Sequence, residues 1–122
     1  MREEVKIFHA ERNSSWRMIV ERAVRREGGH EVVFATDNFN EAISFVKSVG
    51  ARDWVNVAVI GGSFSGIGDG SLIAASVREH LTGVPIVALS VDKQTWGDVY
   101  VDKREFDSGN FANLITNLIT SR

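Results

Sequence analysis

The sequence predicts an α/β fold in which a five-stranded parallel sheet carries helices on both faces. Short apolar segments of strand length alternate along the chain with longer segments whose apolar residues recur every three or four positions. Strands that alternate with helices form a parallel sheet whose connections cover both faces. The third apolar segment, residues 57–60, contains only apolar residues, which is typical of a strand buried on both faces.

Cap residues and glycines mark the ends of the predicted helices. The stretch NSSW at residues 13–16 supplies cap residues for the first helix, which ends at the glycines of EGGH. Asn38 resembles the first residue of a capping box at the second helix. Asp69 is the predicted cap of the third helix, and Asp107 or Ser108 that of the last. The predicted strands are residues 5–8, 31–35, 57–60, 85–89 and 99–101.

The connection between the fourth and fifth strands is too short for a standard crossover. Residues 91–98 provide eight positions, whereas parallel strands are joined by about a dozen residues or more. The fourth helix of such a fold is therefore predicted to be short or absent, which leaves the flank of these two strands less covered.

The composition indicates one globular domain over residues 1–122. The chain has 14 basic and 16 acidic residues and a net charge of −2, which does not favour nucleic-acid binding. Its basic cluster, Arg22, Arg25 and Arg26, has acidic neighbours and is interpreted as a solvated helix face. The absence of cysteine excludes disulfides and thiolate metal sites. With no signal peptide and no apolar run of ~20 residues, we predict a cytoplasmic protein without a membrane partner.

Functional residues of such a sheet lie at the carboxyl ends of its strands, near the point where the strand order reverses. The central strand runs there into a glycine-rich loop, residues 61–70, with no acid, base or nucleophile at the strand tip. The predicted strand ends are His9-Ala10-Glu11, Ala35-Thr36-Asp37, Gly61-Gly62, Ser90 and Lys103.

Four stretches of the chain occur in a recognisable order. HEVVFATDNFNEA (residues 30–42) has the form of a strand and the start of a helix, and GDG (68–70) that of another helix start. VPIVALS (84–90) ends in a serine, and DVYVDK (98–103) holds an aromatic residue and a lysine. Together they resemble the receiver domain of bacterial response regulators. The resemblance implies a flavodoxin-like fold and a role in two-component signal transduction.

The resemblance also implies where receiver chemistry would lie. A working receiver holds Mg²⁺ with two carboxylates at the end of the first strand and is phosphorylated on an aspartate at the end of the third. The acidic pair aligns with His9 and Ala10, and Glu11 comes one residue late. The acceptor aligns with Gly61, or with Gly62 if the loop slips by one residue. We therefore expect a degenerate site with no phosphorylation, no catalytic residue, no metal ion and no cofactor.

Other positions keep the pattern of the family. Ser90, Tyr100 and Lys103 match its switch residues, whereas Arg104 stands where a proline is usual. Without an acceptor, Lys103 is expected to contact carbonyl oxygens or Glu11, with a retained ligand contact as the alternative. The chain thus resembles a pseudo-receiver, an atypical receiver that lacks the phosphoacceptor aspartate and is not an enzyme.

A pseudo-receiver is expected to act by binding a protein partner or a second copy of itself. The predicted contact face consists of the fourth strand, the loop 91–98, the fifth strand and the last helix. Its candidate contact residues are Trp96, Tyr100, Lys103 and Arg104. Trp96 is either a lid over the shortened flank or an exposed anchor of the kind found at binding hot spots, whereas Trp54 is expected to pack.

Two other functions are kept as alternatives. A flavodoxin-like sensor of a small ligand or anion would use the glycine-rich loop 61–70, because backbone amides at a helix start can bind an anion. An atypical enzyme or phosphoacceptor would use Glu11, Asp69 or Asp92, although the sequence places no two of these together.

Overall fold

The computed structural model describes residues 4–48, 54–62, 64 and 69–120. The strands are β1 (Lys6–Ala10), β2 (Glu31–Thr36), β3 (Val57–Gly61), β4 (Ile86–Ser90) and β5 (Val99–Asp102). The helices with described bounds are α1 (Ser14–Gly28), α2 (Phe39–Lys47), α3 (Asp69–His80) and α4 (Ser108–Thr120), with a 3-10 helix over Lys103–Glu105. Within the described residues, no helix is both long enough and apolar enough to pass through a bilayer.

The five strands form one parallel sheet in the order β2-β1-β3-β4-β5, so the predicted fold class is confirmed. Each strand ends one or two residues later than predicted. Ala10 pairs with Ile60, and Gly61 pairs with Leu89, so the carboxyl ends of the central strands meet at one edge. The strand order reverses beside β1 and β3, which is where such sheets form a crevice.

Helices cover both faces of the sheet, as predicted. Val57 and Val59 of β3 pack with the layer that includes buried residues of α1 and α4. Ala58 and Ile60 point to the opposite face, where α2 and α3 supply the partners. The burial of these two apolar layers is the main favourable contribution to folding, and it makes the central strands a rigid support for the residues at their ends.

Three of the predicted helix caps are formed. The side chains of Asn13, Asn38 and Asp107 accept hydrogen bonds from backbone N–H groups three residues on, at 3.1, 2.8 and 2.9 Å. These bonds satisfy N–H groups that have no partner within the helix. Asp69 is the first residue of α3, and its Oδ1 accepts a hydrogen bond from the Phe64 N–H at 2.6 Å.

The connection over residues 91–98 contains no helix, which confirms the prediction made from its length. The connection lies directly on β4, because a Cβ atom placed on Gly97 would be 3.0 Å from Ala88 Cβ. Its far end is fixed by Asp98, whose Oδ2 accepts a hydrogen bond from the Ile86 N–H at 2.7 Å. Trp96 is partly buried against the α2–α3 layer, which agrees with the lid interpretation.

Trp54 does not pack as predicted, since it is 61% exposed. The next residue, Val55, is buried in the α2–α3 layer. The sequence shows two apolar residues in a row but not which of them faces the core.

Candidate functional site

The carboxyl edge of the sheet holds a polar cleft of about 520 Å³. It lies beside the point where the strand order reverses, as expected for this architecture. Three of the predicted strand ends, those of β1, β3 and β4, meet in it, together with the lysine that follows β5. The lining residues are Glu11, Arg12, Asn13, Ser14, Gly62, Ser90, Val91, Asp92 and Lys103.

Glu11 is the first residue after β1, and it is held at both its backbone and its side chain. The Glu11 N–H donates to the Thr36 carbonyl at 2.9 Å, and the Glu11 carbonyl accepts from Arg17 Nη1 at 2.7 Å. The Asn13 N–H donates to Glu11 Oε2 at 3.0 Å. The carboxylate is buried, so its position is set by the fold rather than by solvent.

Lys103 provides the counter-ion of Glu11. Its Nζ atom lies 2.9 Å from Glu11 Oε1, and the two side chains are only 14% and 5% exposed. The contact is an ion pair without the angles of a hydrogen bond. The same Nζ lies 5.1 Å from the centre of the Trp16 ring, within the range of a cation–π interaction. Of the predicted contacts for Lys103, the structure therefore has the one with Glu11.

The glycines at the end of β3 leave room for neighbouring side chains. A Cβ atom on Gly61 would lie 3.0 Å from Glu11 Oε1, and one on Gly62 would lie 2.8 Å from Ser90 Oγ. Gly70, at the start of α3, approaches this strand end so closely that a Cβ would collide with the Gly61 carbonyl oxygen. The Cβ positions at the predicted acceptor are thus crowded by polar groups of adjacent strand ends.

His9 is the second-last residue of β1. Because β1 continues to Ala10, His9 is within the strand and is fully buried, whereas Glu11 takes the strand tip. Alternation along β1 places His9 on the α1–α4 face with Ile7, and Ala10 in the opposite layer. Neither residue lines the cleft. Their assignment as a degenerate acidic pair stays a prediction.

The buried imidazole of His9 is in an unfavourable position for a charged group. Among the described residues, neither of its ring nitrogens has a hydrogen-bond partner. Burial, with help from the positive charges of Lys103 and Arg17, lowers the pKa of His9 from 6.5 to about 3. His9 is therefore neutral near pH 7.

The other predicted switch residues connect β5 with the end of β4. The Tyr100 hydroxyl donates to the carbonyl oxygens of Ser90 and Val91 at 3.1 and 3.0 Å. Desolvation and the nearby Asp102 carboxylate raise the pKa of Tyr100, so the hydroxyl keeps its proton near neutral pH. Arg104 pairs with Asp102 at 2.9 Å and remains largely exposed, and this pairing lowers the pKa of Asp102.

Gln94 was not predicted, although it links the cleft to Trp96. Its Oε1 accepts a hydrogen bond from Trp96 Nε1 at 2.9 Å. Its Nε2 donates to the Asp92 carbonyl at 3.2 Å and would be 3.2 Å from a Cβ atom on Gly62. The Trp96 indole is therefore hydrogen-bonded to Gln94, a side chain that lies in the space left by Gly62 at the strand end.

Arg12 and Asn13, which were not predicted as site residues, also line the cleft and lie between β1 and α1. Their position shortly after a strand is the signal that would identify them, and using it requires the correct end of β1. Asp92 also lines the cleft, whereas Asp69 accepts a hydrogen bond from the Phe64 N–H at the start of α3. Within the described ranges, no three histidine, aspartate or glutamate residues are grouped closely enough to hold a metal ion.

Solved structures give the comparison that decides the fold. The chain matches a response regulator receiver domain protein (CheY-like) from Methanospirillum hungatei with a TM-score of 0.80 at 12% identity, over 98% of this chain and 96% of that one. The chain has the receiver fold. A response regulator receiver protein from Sinorhizobium medicae matches with a TM-score of 0.77 at 20% identity, over 98% and 97% of the two chains.

A third receiver-fold match is a DNA-binding response regulator of the LuxR family from Staphylococcus aureus. It has a TM-score of 0.76 at 17% identity, over 93% of this chain and 98% of that chain. No protein-family model matches the sequence, and no curated protein matches it. At these identities the likeness extends to the fold, and the function has to be argued from the residues of the site.

Proposed function

We propose that this chain is a pseudo-receiver, a signalling module that acts through protein–protein interaction without being phosphorylated. One observation carries the proposal. The residue at the end of the central strand β3, where the receiver resemblance expects the acceptor aspartate, is Gly61. Glycine has no side chain that could take a phosphoryl group, and the adjacent Gly62 has none either.

The surroundings of Gly61 support the same proposal. A working receiver would use carboxylates at the end of β1 to hold Mg²⁺, and Mg²⁺ needs several oxygen ligands in near-octahedral geometry. At this edge Glu11 is already paired with Lys103, and Arg12 follows it directly. A single buried carboxylate that is already paired with a lysine, in a cleft that Arg12 also lines, does not favour a divalent cation.

We also propose that the chain is not an enzyme. Asp92 lines the cleft with Glu11, but Glu11 is an ion-paired carboxylate rather than a free acid or base. The sensor alternative rests on the loop 61–70, of which residues 63 and 65–68 lie outside the described residues. No observation on the described part of that loop favours it.

The proposed contact face consists of β4, the connection 91–98, β5 and α4. The absence of a helix in this connection brings the fifth strand and its side chains nearer to solvent than a full crossover would. Tyr100 and Arg104 are partly or largely accessible there, and Val91 is an exposed apolar residue beside them. Aromatic and arginine side chains contribute strongly to binding when a partner desolvates them.

A quantitative capture experiment tests this function. The tagged chain is used as bait in a native cell extract, with and without acetyl phosphate and Mg²⁺, beside the variants Arg104→Ala and Trp96→Phe. We expect a partner protein to be captured in equal amounts with and without the phosphoryl donor. Arg104→Ala should reduce the captured amount by roughly tenfold, because it removes one anchor of the interface.

Trp54→Ala serves as the matched control, because Trp54 is an exposed aromatic residue before β3, outside the proposed face. Sedimentation of the purified chain shows whether the captured partner is a second copy. A partner that binds only after phosphoryl transfer, or that is lost equally with Trp54→Ala, would contradict the proposal.

A further inference from the structure

The geometry around Gly61 points to a role for Glu11 that goes beyond the absence of an acceptor. We propose that Glu11 is a resident anion, a carboxylate of the chain itself that occupies the acceptor's place and holds Lys103 permanently paired. This inference rests on the proposed function and deepens it, since it states what keeps the site in one state.

The first step of the argument is the space that Glu11 fills. Glu11 Oε1 lies 3.0 Å from the position of a Gly61 Cβ atom, and Glu11 Cδ lies 3.5 Å from it. The 3.0 Å contact is tighter than an ordinary van der Waals contact, so a side chain at position 61 would require the Glu11 carboxylate to shift by a few tenths of an ångström. The carboxylate therefore lies in contact with the point where the side chain of an acceptor would begin, and glycine at position 61 leaves it this space.

The second step is charge. Glu11 and Lys103 form a nearly buried pair at 2.9 Å, so each neutralises the other away from solvent. Trp16 lies against the same ammonium group and limits its freedom. An incoming anion would have to displace a carboxylate that is attached to the chain, and thus present at a high effective concentration.

The third step is positioning. The backbone of Glu11 bonds to β2 and to Arg17, and its second carboxylate oxygen accepts from the Asn13 N–H. Asn13 is also the N-cap of α1, so the carboxylate is held by the start of a helix as well as by the end of a strand. These contacts keep the carboxylate at the strand end without any ligand.

Removing the carboxylate tests the proposal. In Glu11→Ala the Lys103 ammonium lacks its partner, beside a cleft that is open to solvent. Titration calorimetry with inorganic phosphate is expected to show roughly tenfold tighter binding to this variant than to the unaltered chain. The double variant Glu11→Ala/Lys103→Met should return to the weak binding of the unaltered chain.

Glu27→Ala is the matched control, because it makes the same change in net charge at an exposed residue of α1. If Glu11→Ala does not fold, Glu11→Gln keeps the side-chain volume, and its gain in phosphate affinity is read in the same way. Phosphate affinity equal to that of Glu27→Ala, or a gain that survives Lys103→Met, would overturn the proposal.

The same variants separate this inference from the proposed function. Glu11→Ala should gain no covalent phosphoryl group from acetyl phosphate, because Gly61 still offers no acceptor. Phosphorylation of the unaltered chain would contradict the proposed function. Failure of Glu11→Ala to gain phosphate affinity would contradict only the role of Glu11 as a resident anion.

Discussion

Replacing Lys103 with methionine is expected to lower the free energy of unfolding by about 3–5 kcal/mol at pH 7, because it leaves the buried Glu11 carboxylate without its counter-ion. Breaking a buried pair from one side costs much more than removing both charges, since a lone charge keeps its desolvation penalty. Urea denaturation followed by circular dichroism measures the change.

Two further variants identify the cause of this loss. Lys93→Met removes a lysine from an exposed position of the connection 91–98 and should change stability by less than about 0.5 kcal/mol. Glu11→Gln/Lys103→Met removes both charges and should regain most of the stability lost in Lys103→Met. A Lys103→Met variant as stable as Lys93→Met would show that Glu11 does not depend on this partner.

Acid is expected to destabilise the protein through His9 by up to about 5 kcal/mol. The folded-state pKa of His9, about 3, lies below the value of 6.5 expected for the unfolded chain. Between these two pH values the unfolded state binds a proton that the folded state does not, so stability falls as the pH decreases from about 6.5 towards 3. The magnitude follows because each tenfold difference in proton affinity corresponds to about 1.4 kcal/mol.

His9→Leu is the variant that isolates this effect. Its unfolding free energy, measured in denaturant at a series of pH values, should lose much of the slope between pH 6.5 and 3. At pH 7 it should be at least as stable as the unaltered chain, because the buried ring nitrogens have no partner among the described residues. The control is His80→Gln at a partly exposed site of α3, which should keep the slope.

An independent measurement covers the case in which His9→Leu does not fold. The imidazole resonances of His9 in the unaltered chain should show no titration down to pH 5. A slope unchanged in His9→Leu, or a His9 resonance that titrates near pH 6.5, would show that burial does not keep this histidine neutral.

The fold could be predicted from the sequence because its pattern is redundant. The apolar segment 57–60 and the caps at Asn13 and Asn38 each indicate the same alternation of strands and helices. The missing helix between β4 and β5 followed from a count of residues, since chain length limits what a connection can hold. Trp54 was wrongly predicted to be packed, because the direction of an individual side chain depends on where its element ends.

The site could be predicted only in part for the same reason. Glu11 reaches the cleft and His9 does not, because β1 extends two residues beyond its predicted end at Phe8, which leaves His9 within the strand and Glu11 just after it. The contacts of Gln94 depend on the path of a connection without regular structure, and no periodic sequence pattern predicts such a path. The position of Gly61 was predictable, because β3 is the most clearly apolar strand of the chain.

The central claim, that this chain does not accept a phosphoryl group, is tested most directly by intact-mass spectrometry. The purified chain is incubated with acetyl phosphate and Mg²⁺ beside a receiver domain that retains its aspartate. The structure predicts an unchanged mass for this chain, with Gly61 at the end of β3 and Glu11 already paired with Lys103. An acid-stable or acid-labile gain of one phosphoryl group on this chain would contradict the account.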